Sequence, residues 1–211
     1  MDTQTLETIY KNFTQELQHA YQGKTTSLAF IKNPLPQNVQ VHEGDIFQVM
    51  SVGGVNFKSA VIQKAKEGFT ILERTTDILP PFQHKQSLFS FLQKHVSDRT
   101  NLIALNFAYP SIPDISDDKL DAILTRPTKG HAFDGLIGKK IGEEFEVYMG
   151  DSGHKGVRGF VANDAVCLLL SGLSGHLSDC RKYVHKLMPA YSPTFITIKD
   201  SDLLGAAKLV G

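Results

Sequence analysis

The sequence predicts an α/β fold of the mixed α+β kind, in which helices flank a mixed β-sheet. Short β-rich runs joined by glycine-containing turns come first along the chain, and strands alternate with helices later. The chain has no internal repeat and no low-complexity tract. With 41% hydrophobic and 21% charged residues in 211, it can form an ordinary hydrophobic core.

The elements follow from hydrophobic periodicity and from turn residues. An amphipathic helix is predicted over 3–21, because apolar residues recur every three or four positions and Asp2 can cap it. Three strands joined by glycine turns, a helix and a further strand follow, at 46–51, 57–63, 69–74, 86–96 and 102–107. A polar loop with a short strand at 122–124 comes next.

The second half of the chain is predicted to alternate helices and strands. Apolar residues four apart predict a helix over 136–149, which a strand at 155–162 and a helix at 164–173 follow. A helix at 176–188, a strand at 194–198 and a helix at 201–210 complete the chain. We expect one domain over 1–211, with a leading helix and connector at 1–43, a main body at 44–173 and a C-terminal segment at 174–211 that completes the same unit.

Composition argues against several classes of protein. The 22 Lys and Arg residues are balanced by 22 Asp and Glu, whereas nucleic-acid binding favours a basic excess. Cys167 and Cys180 have no metal-ligand spacing and form no disulfide framework. The N-terminus lacks signal-peptide features, and the longest apolar run is far shorter than the roughly 20 residues of a membrane span. We therefore expect a cytoplasmic protein with no nucleic-acid partner, no membrane partner and no metal-ligand cluster.

A glycine pair marks the first candidate site. Gly53 and Gly54 lie between two β-rich runs, and Lys58 follows shortly after. Glycines allow backbone N–H groups to turn toward an anion, so this loop is either a phosphate-binding turn or an ordinary hairpin turn.

Two further segments carry groups that suit a polyhydroxylated ligand. Thr128 and Lys129 offer a hydroxyl and an ammonium group beside Gly130, although the segment also fits a solvated turn. Asn163 and Asp164 follow a predicted strand and open a predicted helix, where a carboxylate can cap the helix and also act as a general base. Each segment alone is weak evidence.

The order of these segments resembles the hexokinase family, specifically eukaryotic-type hexokinases and glucokinases. The similar stretches are the leading helix, the glycine hairpin at 44–62, the helix at 88–96, Leu-Asn-Phe-Ala-Tyr-Pro at 105–110, Thr-Lys-Gly at 128–130, Asn-Asp-Ala-Val at 163–166, and the strand, loop and helix at 194–210. Together they cover nearly the whole chain.

The resemblance implies the small lobe of an actin-like ATPase (ribonuclease H-like) sugar kinase. It implies ATP-dependent phosphorylation of a hexose such as glucose, with ATP and Mg²⁺ required and Asp164 as general base. Thr128, Lys129 and Asn163 would hold sugar hydroxyls, and Lys129 would also face the transferred phosphoryl group. The resemblance further implies that the large-lobe insertion is missing, and with it the adenosine-binding segment and part of the sugar site.

Three departures from the family pattern bear on chemistry. Ser51 stands where the family has an Asp that helps organise Mg²⁺, Val55 where it has a phosphate-contacting Thr, and Ala108 where it has a sugar-contacting Ser. Lys58 stands where the family has Arg, which keeps the charge without the bidentate fork.

These observations leave three hypotheses. The first is a sugar-kinase lobe that is weak or inactive as this chain alone; the second is a non-catalytic sugar-binding or interaction module; the third is a folding unit without a ligand. An apolar patch is expected where a second lobe would pack, which predicts a homodimer or a missing-lobe partner. That patch comprises Leu168, Leu169, Leu170, Leu203 and Leu204.

Overall fold

The computed structural model describes residues 2–27, 40–116, 119–171, 203, 206–208 and 210. The chain divides into two compact units, Met1–Asn33 and Pro34–Gly211. The single domain expected over 1–211 stays a prediction. The elements predicted at 176–188 and 194–198 lie outside the described residues.

The first unit contains one helix, α1, over Thr3–Tyr21. Its bounds are those that the periodicity predicts. Asp2 caps it, because its Oδ1 accepts a hydrogen bond from the Thr5 backbone N–H at 2.8 Å. No residue of α1 is buried.

The second unit is built on a five-stranded mixed sheet with the strand order β3-β2-β1-β4-β7. Strands β1, β2 and β3 pair antiparallel, whereas β4 and β7 run parallel to β1. The mixed sheet flanked by helices is confirmed. In chain order its elements are β1 Ile46–Val52, β2 Asn56–Lys64, β3 Phe69–Ile78, α2 Lys85–Gln93, β4 Leu102–Phe107, β5 Ser111–Ser116, β6 Lys119–Leu124, α3 Ile141–Asp151, β7 Arg158–Ala162 and α4 Asp164–Ser171.

Strands β5 and β6 form a separate antiparallel pair. The sequence predicts only the end of β6. Strand β5 was missed because Pro113 and Asp114 interrupt its apolar pattern, and both residue types are depleted in strands. Proline is tolerated here because the pair has only two strands, so each of them is an edge.

Helix α3 begins five residues later than predicted, at Ile141. Gly135 and Gly138 adopt φ angles of 83° and 78°, which an α-helix does not allow, and Lys140 is extended. Ile137 is 42% exposed although its spacing matched the apolar stripe. The four-residue repeat therefore extended past the real start of the helix.

Both faces of the sheet are covered over β1, β2, β4 and β7, whereas β3 is largely exposed. One face packs on α2 and α3, and the other packs on α4 and on described residues near the C-terminus. Leu203 belongs to this second core and is fully buried, so its expected place in an uncovered patch is wrong. The side chains of Leu168, Leu169, Leu170 and Leu204 lie outside the described residues. No helix in the described part of the chain is long and apolar enough to cross a membrane.

Candidate functional site

The candidate site lies where the three parallel strands end. Gly53 follows β1, Ala108 follows β4 and Asn163 follows β7. The carboxyl ends of parallel strands meet at one edge of a sheet, where open α/β folds bind ligands. Segments that are far apart in sequence therefore become neighbours.

Tyr109 connects two of the predicted segments. Its carbonyl oxygen accepts a hydrogen bond from Asn163 Nδ2 at 3.1 Å, and its hydroxyl donates to the carbonyl oxygen of Gly53. Only 1% of Tyr109 is exposed. The phosphate-turn candidate and the Asn163 segment are thus tied to one buried residue.

Lys129 reaches the same place from a different loop. Its Nζ donates to the carbonyl oxygen of Ala108 and lies 5.1 Å from the centre of the Tyr109 ring. A Cβ built on Gly54 would lie 3.1 Å from Lys129 Cδ, so the two residues are in contact. Lys129 has a φ of 55°, in the left-handed region, and Thr128 beside it is half-buried.

Asp164 opens α4 but is not its cap. The Asn163 carbonyl accepts from the Cys167 N–H at 3.1 Å, and Asn163 Oδ1 accepts from the Ala165 N–H at 3.0 Å, so Asn163 holds the capping position. Asp164 Oδ1 also accepts from Ala165 N–H, at 2.9 Å. Its Oδ2 has no hydrogen-bond partner among residues 2–27, 40–116 and 119–171.

Lys58 lies on β2 directly across from Ser51 of β1, which in turn lies beside Asn106 of β4. Asn106 Nδ2 donates to Ser51 Oγ at 3.3 Å. Asn106 Oδ1 is buried and has no hydrogen-bond partner in the described structure. Sequence reasoning missed Asn106, although an asparagine inside an apolar strand is itself a signal.

Tyr109 was also missed as a part of the site, whereas His131, which follows the Thr-Lys-Gly segment, was expected only as a residue that could line it. The His131 ring is 5% exposed and lies between the Phe82 backbone and the glycine turn. Its Nδ1 accepts from Phe82 N–H at 3.1 Å, and its Nε2 lies 3.2 Å from the Gly54 carbonyl oxygen. The structure therefore places Gly53, Gly54, Lys129 and Asn163 around Ala108 and Tyr109, with Asp164, Thr128 and Lys58 on adjoining positions.

The burial of Tyr109 makes a testable prediction about alkaline stability. Burial raises the pKa of its phenol from 10.0 to about 12. Because the folded-state pKa is the higher one, the stabilisation by the neutral phenol is present below pH 10 and is lost as pH rises through about 12. We expect Tyr109→Phe to be about 1 kcal/mol less stable than wild type at pH 8, through the lost hydrogen bond to Gly53.

That deficit should shrink, and then reverse, as pH rises from 10 toward 12. Urea unfolding of both proteins across this range measures it, and other alkaline titrations cancel in the difference. A deficit that stays constant with pH would contradict the burial of the phenol.

Comparison with known proteins identifies the fold. No protein-family profile matches the sequence, and no curated protein matches it. Among solved structures, the hexokinase of Schistosoma mansoni complexed with glucose matches 74% of this chain with a TM-score of 0.56 and 19% identity. A ROK-family glucokinase from Streptomyces griseus, in complex with glucose and AMPPNP, and a ROK hexokinase from Thermus thermophilus match with TM-scores of 0.40 and 0.39.

The two ROK enzymes are 16% and 17% identical to this chain over 60% and 64% of it, and over 36% and 41% of their own lengths. The match to the Schistosoma mansoni enzyme shows that this chain has the fold of part of a hexokinase, as the order of motifs predicts. The Schistosoma mansoni enzyme is a hexokinase, and this chain spans 36% of its length.

Proposed function

We propose that this chain is a hexokinase-like sugar-kinase lobe that takes part in the ATP-dependent phosphorylation of a hexose hydroxyl. The observation that carries the proposal is the convergence of three segments on Ala108 and Tyr109 at the carboxyl edge of the sheet. The fold shared with a hexokinase solved with glucose supports a hexose substrate.

The proposed roles follow from the groups that these segments present. Asp164 is the general base, and its Oδ2, which has no hydrogen-bond partner among the described residues, accepts the proton of the hexose hydroxyl. That hydroxyl oxygen attacks the γ-phosphorus of ATP as the bond to the β,γ-bridging oxygen breaks and ADP leaves. Lys129 and Asn163 now donate to backbone carbonyl oxygens, and sugar oxygens are acceptors of the same kind. Thr128 adds a hydroxyl to this sugar-binding group.

The phosphate end of the proposed site is formed by the glycine turn and Lys58. The backbone N–H groups of Gly54 and Val55 have no hydrogen-bond partner in the described structure, so they suit a phosphoryl oxygen. Lys58, on the strand that leaves the turn, adds a positive charge to this end.

The residues present also fit ATP-bound Mg²⁺, which needs only one or two carboxylates besides phosphate oxygens. No group of three or more His, Cys, Asp or Glu side chains in the described structure could hold a metal alone. Asp164 offers a carboxylate, whereas Ser51 supplies no charge and Asn106 Oδ1, which has no hydrogen-bond partner in the described structure, is buried. When bound, Mg²⁺ would neutralise phosphate charge.

A second candidate function is a non-catalytic sugar-binding or interaction module. Ser51, Val55 and Ala108 favour it, because each lacks a polar or charged group that the hexokinase pattern has. In either case we propose that catalysis by this chain alone is weak or absent, and that a second copy or another lobe supplies the remaining contacts.

The deciding experiment measures ADP release with MgATP and a panel of hexoses. Asp164→Asn keeps the Oδ1 that accepts from Ala165 N–H and removes the basic carboxylate, so the helix start should survive. Asp151→Asn, at the exposed end of α3, is the matched control. Where wild type and control show hexose-dependent turnover, however slow, we expect it to fall at least about a hundredfold in Asp164→Asn.

Turnover that Asp164→Asn does not reduce would refute the proposed role of Asp164. If no protein turns over, thermal stabilisation by glucose separates a binding module from a protein with no sugar ligand, since only a ligand that binds the native state raises Tm.

A further inference from the structure

We propose that Tyr109 and His131 are positioning residues that fix the orientation of the Gly53–Gly54 turn. The assignment of this turn to phosphate rests on the proposed function. The positioning rests on contacts alone, and the experiment below separates the two.

Two buried side chains hold two successive carbonyl groups of the turn. The Tyr109 hydroxyl donates to the Gly53 carbonyl oxygen, and His131 Nε2 lies 3.2 Å from that of Gly54. Tyr109 is 1% exposed and His131 is 5% exposed, so water does not compete effectively for these contacts.

The His131 ring is held in one tautomer and one place. Phe82 N–H donates to Nδ1 at 3.1 Å, so Nδ1 carries no hydrogen and Nε2–H is the donor to Gly54. The ring also stacks on Phe82 and Phe133, with centroid distances of 5.3 and 5.2 Å. The Tyr109 ring meets the His131 ring edge-on at 5.5 Å.

Peptide geometry converts these contacts into an orientation of the turn. In a trans peptide the C=O and the following N–H point in opposite directions, and the described chain has no cis peptide bond. Holding the Gly53 carbonyl inward therefore turns the Gly54 N–H outward, and holding the Gly54 carbonyl turns the Val55 N–H outward. Val55 is 63% exposed, so this side of the turn is open to solvent.

The other groups of the turn are already committed. Gly53 N–H donates to Asn56 O at 3.1 Å, and Leu79 N–H donates to Val55 O at 2.8 Å. The two outward N–H groups are therefore the polar groups that the turn presents to a ligand. A phosphoryl oxyanion is the ligand that paired backbone N–H groups suit.

Three variants test the positioning. Tyr109→Phe removes the donor to Gly53. His131→Asn places an amide oxygen where Nδ1 lies and retains the acceptor for Phe82 N–H, but it loses the donor to Gly54. His131→Gln reaches the Nε2 position and restores that donor. Phe107→Leu, in contact with the Tyr109 ring but not hydrogen-bonded to the turn, controls for general loosening of the aromatic cluster.

The first readout is the ¹⁵N order parameter of Gly54 and Val55 in the full chain without ligand. We expect order parameters of about 0.85 in wild type, His131→Gln and Phe107→Leu. In Tyr109→Phe and His131→Asn we expect order parameters of about 0.6. The second readout is the affinity for inorganic phosphate, followed through the shifts of the same two amides, which should weaken about tenfold in Tyr109→Phe and His131→Asn.

Order parameters that match wild type in both Tyr109→Phe and His131→Asn would overturn the positioning. If these two variants loosen the turn but phosphate shifts no amide in wild type, the positioning stands and the phosphate role in the proposed function fails. If phosphate does shift the two amides in wild type, titrations with ATP and with glucose 6-phosphate show whether a nucleotide or a sugar supplies the phosphoryl group.

Discussion

Gly142→Ala should strongly destabilise the protein, because α3 and β7 approach each other there without room for a side chain. A Cβ on Gly142 would lie 2.6 Å from the Gly159 carbonyl oxygen and 2.8 Å from Asp121 Oδ2. Neither neighbour can move easily, since one is backbone in a central layer and the other is a buried, fully hydrogen-bonded carboxylate. We expect a loss of about 3 kcal/mol or more, at the upper end of overpacking effects.

Gly150→Ala in the same helix is the matched control. A Cβ at Gly150 would meet no heavy atom within 4 Å, and alanine favours the helix over glycine by up to about 1 kcal/mol. The same substitution should therefore have opposite signs at the two positions. Urea unfolding monitored by circular dichroism measures both, and a Gly142→Ala midpoint equal to that of wild type would contradict the close packing of α3 on β7.

This packing matters for the site because β7 leads directly into Asn163 and Asp164. Glu146 of α3 accepts from Gly159 N–H at 2.7 Å and from Lys119 Nζ at 2.5 Å, which ties the helix to β7 and β6. A shift of α3 would therefore move the strand that leads into the proposed base.

Local sequence patterns predicted the elements that are defined by features close together in the sequence. Helix α1 has an apolar stripe and a cap, and the β1–β2 hairpin has a glycine pair between β-rich runs. Prediction failed where backbone geometry overrode the pattern, as at Gly135 and Gly138 ahead of α3. The spacing of apolar residues indicates which residues share one face of a helix, but it does not indicate where the helix begins.

In the site, too, local features could be predicted from the sequence and long-range contacts could not. Residue type and local position marked three candidates: Gly53 in a glycine pair between β-rich runs, Lys129 in a Thr-Lys-Gly segment, and Asn163 between a strand and a helix. The contacts of Tyr109 with Gly53 and of His131 with Gly54 join residues 56 and 77 positions apart. Residue type and short spacing carry no signal for such distant pairs, so the residues that hold the turn could only emerge from the fold.

The second large effect is expected at Asp121, which caps α3 from another strand. Lys140, at the N-terminal cap position of α3, makes no side-chain capping bond. Asp121 of β6 replaces it: Oδ1 accepts from Gly142 N–H at 2.8 Å and Oδ2 from Glu143 N–H at 2.9 Å. Oδ1 also accepts from Ala122 N–H at 2.7 Å. Desolvation raises the pKa of Asp121, although these three donors oppose the rise.

Asp121→Ala should lower the free energy of unfolding by about 3 kcal/mol or more, because it leaves two helix N–H groups without an acceptor. Asp121 itself is 1% exposed, so water cannot easily replace the lost carboxylate. Asp121→Asn should cost less, about 1–3 kcal/mol, since its oxygen keeps one set of bonds while its NH₂ faces the other N–H group. Asp114→Asn, which weakens a partly exposed ion pair with Lys140 at 3.0 Å, should change stability by less than about 1 kcal/mol. Equal costs at Asp121 and Asp114 would mean that α3 does not depend on this cap. The stability loss should instead be largest in Asp121→Ala, smaller in Asp121→Asn and smallest in Asp114→Asn. That order would mean that the start of α3, and with it the close contact at Gly142, depends on one buried carboxylate.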